Sequence, residues 1–174
     1  MSTGKIVYQG RKFHIEQREV PDRDGARRAY DFLVHPGAAV VLPLLDDGRV
    51  VLISNYRVAI GQELLELPAG TLDPSESPAD CARRELAEET GYQAEELQHL
   101  VSFYSTPGIC NEQLHAFVAR GLRAGQSRRD PGERIRNRPM EYGAALRAIG
   151  SGRIVDGKTI AVLLYHDHFV RSHR

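Results

Sequence analysis

The sequence is poor in cysteine and lacks a long apolar run, and these absences exclude several classes of protein. Its 174 residues include only two cysteines, Cys81 and Cys110, which form neither a metal-binding nor a redox motif. Cysteine this sparse does not build a disulfide scaffold, so we expect a reduced, cytoplasmic protein. No stretch is long enough to cross a bilayer, and the start of the chain lacks the apolar region of a signal peptide.

An excess of charge of either sign is also missing. The 23 lysines and arginines balance 23 aspartates and glutamates, so the formal net charge is zero. A neutral chain lacks the basic excess that is typical of nucleic-acid or membrane partners. What the sequence does have is 41% hydrophobic residues and a length that suits one domain, or one domain with a small extra element.

The first 36 residues are predicted to form a separate β element. Two strand-like runs, "KIVYQGRKFHIEQREV" and "RRAYDFLVHP", flank the turn signal "PDRDG". A segment of this length is too short to bury a core of its own. We therefore expect an N-terminal β element at residues 1–36 and the main domain at residues 37–174.

The main domain is predicted to combine strands with helices. "AAVVLPLL" and "VVLISNYR" are expected to pair as a hairpin around the Asp47-Gly48 turn, followed by a long loop, "ELLELPAGTLDPSESP". "LVSFYS" and "LHAFVARGL" are strand-like, whereas "MEYGAALRAI" and "KTIAVLLYHDHFV" are helical, with His166-x-His168 at a solvated helix end. This order suggests an α+β or a mixed α/β/α layered domain.

One helix has clear ends in the sequence. Ser77 can cap it, Pro78 suits its first position, and Asp80 stands where a capping-box acid is expected. Gly91 is placed to end it. These signals predict a helix from Pro78 to Thr90.

This helix carries three carboxylates on one face. Glu85, Glu88 and Glu89 stand at spacings i, i+3 and i+4, and each like-charged pair weakens an isolated helix by roughly 0.2–0.5 kcal/mol. In one interpretation the face is simply solvated, and Arg84 and Glu88 form an ordinary i, i+4 surface pair. In the other, the carboxylates bind a hard divalent cation such as Mg²⁺, which takes oxygen ligands and is usually shared with substrate phosphates.

A longer pattern around the helix favours the second interpretation. Gly70 is followed after five residues by Glu76, and seven residues later by "RELAEETGY", Arg84 to Tyr92. This pattern resembles, position for position, the signature of the Nudix hydrolases: G, five residues, E, seven residues, R-E-U-x-E-E-x-G-U, where U is bulky and apolar. The resemblance implies an α/β fold, an α/β/α sandwich with a mixed central sheet, and a hydrolase that uses Mg²⁺, with Mn²⁺ as a possible substitute.

The resemblance also implies roles for the residues of the pattern. The arginine that matches Arg84 orients a metal-binding glutamate in the family. The glutamates that match Glu85, Glu88 and Glu89 hold the metal, and the backbone carbonyl that matches Ala69 can join them. The glutamate that matches Glu76 is more often a structural or outer-shell group.

Other stretches resemble one branch of the family, the ADP-ribose pyrophosphatases and nucleoside diphosphate sugar hydrolases. These stretches are "NYR", "ELPAGTLD" and "YSTPGICNEQLHAFVA", the last of which includes a marker proline at Pro107. The family pattern implies that Arg57 and Glu66 face the diphosphate and sugar of the substrate and that Glu112 lies near the terminal ribose. The predicted products are a nucleoside monophosphate and a sugar phosphate.

The same branch suggests a role for the N-terminal element. Relatives use such a segment to pair subunits, sometimes so that it borders the partner's active site. We therefore expect a homodimer in which Arg27, Arg28 or Tyr30 touches substrate. The alternative is that the segment only extends the sheet of its own chain.

The segment from Arg120 to Arg138 departs from the branch pattern. It holds seven arginines and only two acids, Asp130 and Glu133, where the branch often has an acidic loop. Glu133 is the candidate general base. The arginines form a solvated loop, reach substrate phosphate, or contact RNA.

These features leave several functions open beside the favoured one. A nucleoside triphosphate, a dinucleotide or an RNA 5′ end are alternative substrates. A non-catalytic nucleotide sensor is a further alternative, but such a protein has no need to keep Glu85, Glu88 and Glu89.

Overall fold

The computed structural model describes residues 4–10, 13–127 and 134–172. Within these ranges the chain forms ten strands and three α-helices. The strands are β1 Lys5–Gln9, β2 His14–Pro21, β3 Arg27–Val34, β4 Ala38–Pro43, β5 Arg49–Arg57, β6 Gln62–Glu66, β7 Ala69–Thr71, β8 Tyr92–Tyr104, β9 Gln113–Ala124 and β10 Ile135–Glu141. The helices are α1 Pro78–Glu85, α2 Tyr142–Gly150 and α3 Gly157–His166, and a π-helical turn follows α1 at Leu86–Thr90 and α3 at Asp167–Arg171.

A four-stranded mixed sheet, in the order β7-β4-β9-β8, lies at the centre of the main domain. β4 pairs in parallel with β9, and the other pairs are antiparallel. Alternate side chains of β4 point to opposite faces: Val40 and Leu42 pack with residues of α2 and α3, whereas Ala39 and Val41 pack against α1. Helices therefore cover both faces, which confirms the predicted α/β/α arrangement with a mixed central sheet.

The predicted hairpin is wrong, although its turn is present. Gly48 donates its N–H to the Leu45 carbonyl at 2.9 Å, and Leu44 and Val50 form an isolated antiparallel bridge. Beyond that bridge β4 stays in the central sheet, whereas β5 joins a second antiparallel sheet in the order β10-β5-β6. Because both strands are buried apolar runs, their sequence does not distinguish a neighbour in the chain from a distant partner.

The predicted long loop is also only partly correct. Its first residues lie in β6, which pairs with β5, and Ala69–Thr71 forms β7 at the edge of the central sheet. Neither strand was predicted, because Pro68 stands between them and interrupts any continuous strand pattern.

The N-terminal residues form a separate antiparallel sheet in the order β1-β2-β3. It contacts the main domain near the end of β3, where Leu33 donates its N–H to the Ile109 carbonyl at 2.8 Å. Several apolar side chains of this sheet are exposed, namely Ile6, Val7, Tyr8, Val20 and Tyr30.

The prediction that both C-terminal histidines are solvated is wrong for His166. Thr159, Val162, Leu163 and His166 are all buried and follow the i, i+3, i+4, i+7 spacing of one helix face. His166 Nδ1 lies 2.8 Å from the Tyr142 hydroxyl. Across the described ranges, no helix combines the length and the apolar character needed to span a membrane.

Candidate active site

The helix that carries the carboxylates begins and ends where the sequence predicts. The Ser77 hydroxyl accepts a hydrogen bond from the Asp80 N–H, Pro78 occupies the first turn, and Gly91 ends the helix with a φ of 80°. Glycine adopts such a left-handed conformation without the Cβ clash that most other residues meet. The final turn, Leu86–Thr90, widens from α to π geometry, a feature often found at functional sites.

Arg84 is the centre of the acidic cluster. Its Nε and one terminal nitrogen bind both oxygens of Glu76 at 2.8 Å, and the other terminal nitrogen lies 2.6 Å from Glu85 and 3.2 Å from Glu88. The same guanidinium donates to the Thr71 carbonyl at 3.1 Å. Arg84 thus ties the helix to the loop after β7.

The forked hydrogen bond from Arg84 is the main reason that the pKa of Glu76 falls to about 2. Glu76 therefore stays ionised and keeps the guanidinium fixed. This arrangement matches the structural role that the resemblance implies for Glu76.

Glu89 lies against the backbone of β7, one residue before the position at which Glu85 packs. It is only 4% exposed, and its carboxylate accepts a hydrogen bond from the Ala69 N–H at 2.9 Å. Arg84 holds Glu85 and Glu88, and the carboxylates of Glu85 and Glu89 both lie against the backbone of β7.

Gly70 leaves room for the Glu85 carboxylate. A Cβ atom added at residue 70 would lie 1.8 Å from Glu85 Oε1, far inside van der Waals contact. The glycine of the pattern is therefore required because a carboxylate packs on the backbone there.

The chemistry of this cluster suits a hard divalent cation. Glu76, Glu85 and Glu88 surround one guanidinium, so negative charge is in excess, and all candidate ligands are oxygen atoms. With the side chains in these positions, no three His, Cys, Asp or Glu residues of the described ranges form a metal-binding group.

A cavity of about 600 Å³ lies beside β7. Its walls come from β4, β7, the end of β8, the start of β9 and the start of α3. The lining residues include Arg57, Ala69, Gly70, Thr71, Phe103, Tyr104, Glu112, Asp156 and Lys158.

Arg57 and Glu66 form a bidentate ion pair beside this cavity. Arg57 Nε lies 2.8 Å from Glu66 Oε1, and this hydrogen bond raises the pKa of Arg57 above its ordinary value. Glu66 is fully buried and is not among the lining residues, whereas Arg57 is partly exposed and lines the cavity. Glu66 thus lies behind Arg57 and holds it.

The remaining predicted residues have different positions. Glu112 lines the cavity, with its carboxylate 3.5 Å from His35 Nδ1. Arg28 is exposed on β3, pairs with Asp22 at 2.7 Å, and is not among the described residues that line the cavity of its own chain. Glu133 falls outside the described residues, so its position is not part of this geometry.

Two lining residues, Asp156 and Lys158, were missed in the sequence. Lys158 Nζ lies 2.6 Å from Glu66 and 2.8 Å from Asp156, and Asp156 caps α3. A signal was available: Lys158 is the only lysine after residue 12, in a chain that otherwise uses arginine, and it follows a candidate N-cap.

Comparison with known proteins shows the family to which the chain belongs. The model of the NUDIX domain matches residues 34–153. Over 91% of the chain and 87% of the relative, the sequence is 32% identical to the methanol dehydrogenase activator of Bacillus methanolicus. It is also 32% identical to the ADP-ribose pyrophosphatase of Bacillus subtilis, over 94% of the chain and 86% of the relative. The chain belongs to the NUDIX domain family.

Two further similarities concern the sequence and the fold. The GDP-mannose pyrophosphatase of Yersinia enterocolitica is 38% identical, over 74% of the chain and 72% of that protein. A crystal structure of an ADP compounds hydrolase superimposes with a TM-score of 0.86 over 98% of the chain and 93% of that structure, at 22% identity. At this identity the superposition shows a shared fold.

Proposed function

We propose that this protein is a Nudix hydrolase that cleaves the diphosphate of ADP-ribose or a related nucleoside diphosphate sugar. One observation carries the proposal. Ala69 and Gly70 line the cavity and also contact the carboxylates of the helix, Ala69 through Glu89 and Gly70 through Glu85. A diphosphate in the cavity therefore lies next to the candidate metal ligands. Two of the similar relatives, named as an ADP-ribose and a GDP-mannose pyrophosphatase, support this class of substrate.

The reaction adds water across one P–O–P bond and gives a nucleoside monophosphate and a sugar phosphate. The diphosphate resists attack because its own oxygens are anionic. Arg57, on the wall of the cavity, donates charge-assisted hydrogen bonds to the phosphate and orients it. Glu112, which also lines the cavity just before β9, accepts a hydrogen bond from the terminal ribose.

Mg²⁺ is the cation that we propose for the acidic cluster, with Mn²⁺ as a substitute. Glu85, Glu88, Glu89 and the Ala69 carbonyl would hold it. When bound, it screens the charge of the diphosphate and acidifies water. Arg84 would keep its forked bond to Glu76 when the cation is bound.

Glu133 is our candidate for the general base that takes the proton from the attacking water. Changing Glu133 to Gln should lower kcat by about 10²–10⁴-fold. Substrate binding should survive, and additional Mg²⁺ should not restore the rate. A Glu133→Gln enzyme with near-normal kcat would show that another group takes the proton from the attacking water.

The N-terminal sheet and the composition support a proposal about assembly and location. We propose that residues 1–36 pair two copies through the exposed apolar side chains of β1, β2 and β3, and that Arg28 of one copy then borders the partner's cavity. The scarcity of cysteine supports a reducing, cytoplasmic location.

Product analysis tests the proposed function. The purified protein is incubated with ADP-ribose and MgCl₂, and the nucleotides are separated by anion-exchange chromatography. We expect AMP and ribose 5-phosphate in equal amounts, and no products when MgCl₂ is replaced by EDTA. Intact ADP-ribose, GDP-mannose and related nucleotide sugars after prolonged incubation with Mg²⁺ would contradict the proposal.

A further inference from the structure

Glu66 is a fully buried carboxylate with two cationic partners. Arg57 binds both of its oxygens, and the Lys158 ammonium lies 2.6 Å from Oε2. A buried charge is tolerated only when it is paired and hydrogen-bonded. The carboxylate thus joins a residue of β5 to a residue of α3 through the end of β6.

Lys158 is held firmly in this arrangement. Its ammonium also binds Asp156 at 2.8 Å, and Asp156 caps α3 by accepting the N–H and hydroxyl of Thr159. The Thr159 hydroxyl in turn accepts the Leu67 N–H at 2.8 Å. The start of α3 is therefore anchored directly to the residue after Glu66, and Lys158 is 15% exposed rather than a mobile surface lysine.

The same geometry limits where the Arg57 guanidinium can lie. Two of its nitrogens, Nε and one terminal nitrogen, are engaged by Glu66, so the remaining edge of the guanidinium is the one left for a phosphate in the cavity. The orientation of that edge depends on the orientation of the Glu66 carboxylate. Among the described residues, Arg57 is the other hydrogen-bond partner of this carboxylate, so without Lys158 the carboxylate plane can turn with Arg57.

We propose that Lys158 is a positioning residue that orients Arg57 for a nucleoside diphosphate by fixing the buried carboxylate of Glu66. The proposal rests on the proposed function, in which Arg57 binds the diphosphate. Lys158 has three N–H donors, and two are directed to Glu66 and Asp156. A direct contact from its third donor to phosphate is the competing role, and it makes a different prediction.

A double-mutant cycle separates these roles. The dissociation constant of α,β-methylene ADP-ribose, in which a CH₂ group replaces the bridging oxygen of the diphosphate, is measured by calorimetry, with Mg²⁺, for the wild type, Lys158→Met, Arg57→Ala and the double variant. Lys158→Met should weaken binding by about 3–30-fold when Arg57 is present, because the two residues act through one carboxylate. In the Arg57→Ala background the same change should alter binding by less than about twofold. Equal losses in both backgrounds, or no loss in either, would overturn the proposal.

A second readout does not depend on the substrate. In ¹⁵N-labelled protein, the Arg57 Nε–H resonance is assigned by its disappearance in Arg57→Ala, and its exchange with water is measured. Lys158→Met should accelerate this exchange, whereas Arg153→Met, which removes an exposed cation before α3, should not. Unchanged exchange in Lys158→Met overturns the positioning role.

The binding and exchange measurements together separate a failure of the proposed function from a failure of the role proposed for Lys158. If the wild type does not bind the methylene analogue, the proposed function fails, and the exchange rate of Arg57 alone decides the role of Lys158. If Lys158→Met does not fold, Lys158→Gln, which keeps an N–H donor but no charge, replaces it in both experiments.

Discussion

Among individual residues, the ion pair between Arg84 and Glu76 should have a measurable effect on the stability of the fold. The guanidinium holds the pKa of Glu76 at about 2, well below its ordinary value. A group with a lowered pKa in the folded state stabilises the fold when it is ionised, and the stabilisation is lost as pH falls through the folded-state pKa.

Changing Glu76 to Gln should therefore flatten the acid limb of the stability curve. The melting temperature of the wild type should fall between its value near pH 5 and that near pH 2, in part because Glu76 takes up a proton. The variant should be less stable than the wild type at pH 6 and should approach it near pH 2. Calorimetry across this pH range checks the prediction, and parallel curves for the two proteins would contradict it.

Gly70 is a second residue whose role depends on one contact. Replacing it with Ala places a methyl group where Glu85 Oε1 now lies, because the added Cβ would be 1.8 Å from that atom. The displaced carboxylate should raise the Mg²⁺ concentration for half-maximal activity by about 10–100-fold, the usual loss when support for a ligand is removed.

Gly150→Ala is the matched control for this change. A Cβ at residue 150, in α2, would meet no atom within 4 Å. Its Mg²⁺ dependence should equal that of the wild type. A Gly70→Ala enzyme with the same dependence would show that the glycine is not required for the position of Glu85.

Among the helices and strands, the ends of the carboxylate helix were predicted correctly from local signals, whereas the pairing of β4 was not. Ser77, Pro78 and Gly91 fix the ends of α1 and its π turn because caps and left-handed glycines act over a few residues. The parallel pairing of β4 with β9 joins residues about 75 positions apart and leaves no local signal. Predicting a hairpin from the Asp47-Gly48 turn therefore failed.

In the candidate site, too, local features were predicted and long-range contacts were not. The residues that the family pattern supplied on α1 and in the Gly70 loop lie together around Arg84. Lys158 was missed because its importance comes from Glu66, which precedes it by 92 positions in the chain. The π turn at the end of the helix was also missed, because the ideal α-helix repeat does not describe it.

A substitution that removes its charge tests whether Glu89 binds the metal. Changing Glu89 to Gln keeps the shape of the side chain and an acceptor for the Ala69 N–H, but removes the charge. Activity should fall by orders of magnitude, and higher Mg²⁺ should restore part of it, because a weaker cation site is the cause. Rates are measured as a function of MgCl₂ concentration. No recovery at any concentration would contradict a role in metal binding.

At the scale of the whole molecule, the N-terminal sheet leaves apolar side chains exposed. Tyr8 and Tyr30 are 55% and 47% exposed in the isolated chain, which suits a contact with a second copy. Light scattering coupled to size-exclusion chromatography should give twice the mass of one chain for the wild type. Tyr30→Glu should shift the protein towards the monomer, because a charge would be buried at the contact.

Phe169→Glu provides the control for this experiment. Phe169 is 55% exposed near the C-terminus, far along the chain from the N-terminal sheet. The same change there should leave the mass of the dimer unchanged. A wild-type protein that is monomeric at working concentration would contradict pairing through residues 1–36.

The central claim is that the carboxylate helix and the adjoining cavity together select a nucleoside diphosphate sugar. The most direct test compares kcat/KM for ADP-ribose and GDP-mannose with kcat/KM for dGTP and for 5′-triphosphate RNA, under the same Mg²⁺ concentration. The account predicts that one of the two nucleotide sugars has the highest value. Equal or better turnover of dGTP or of the RNA would contradict it.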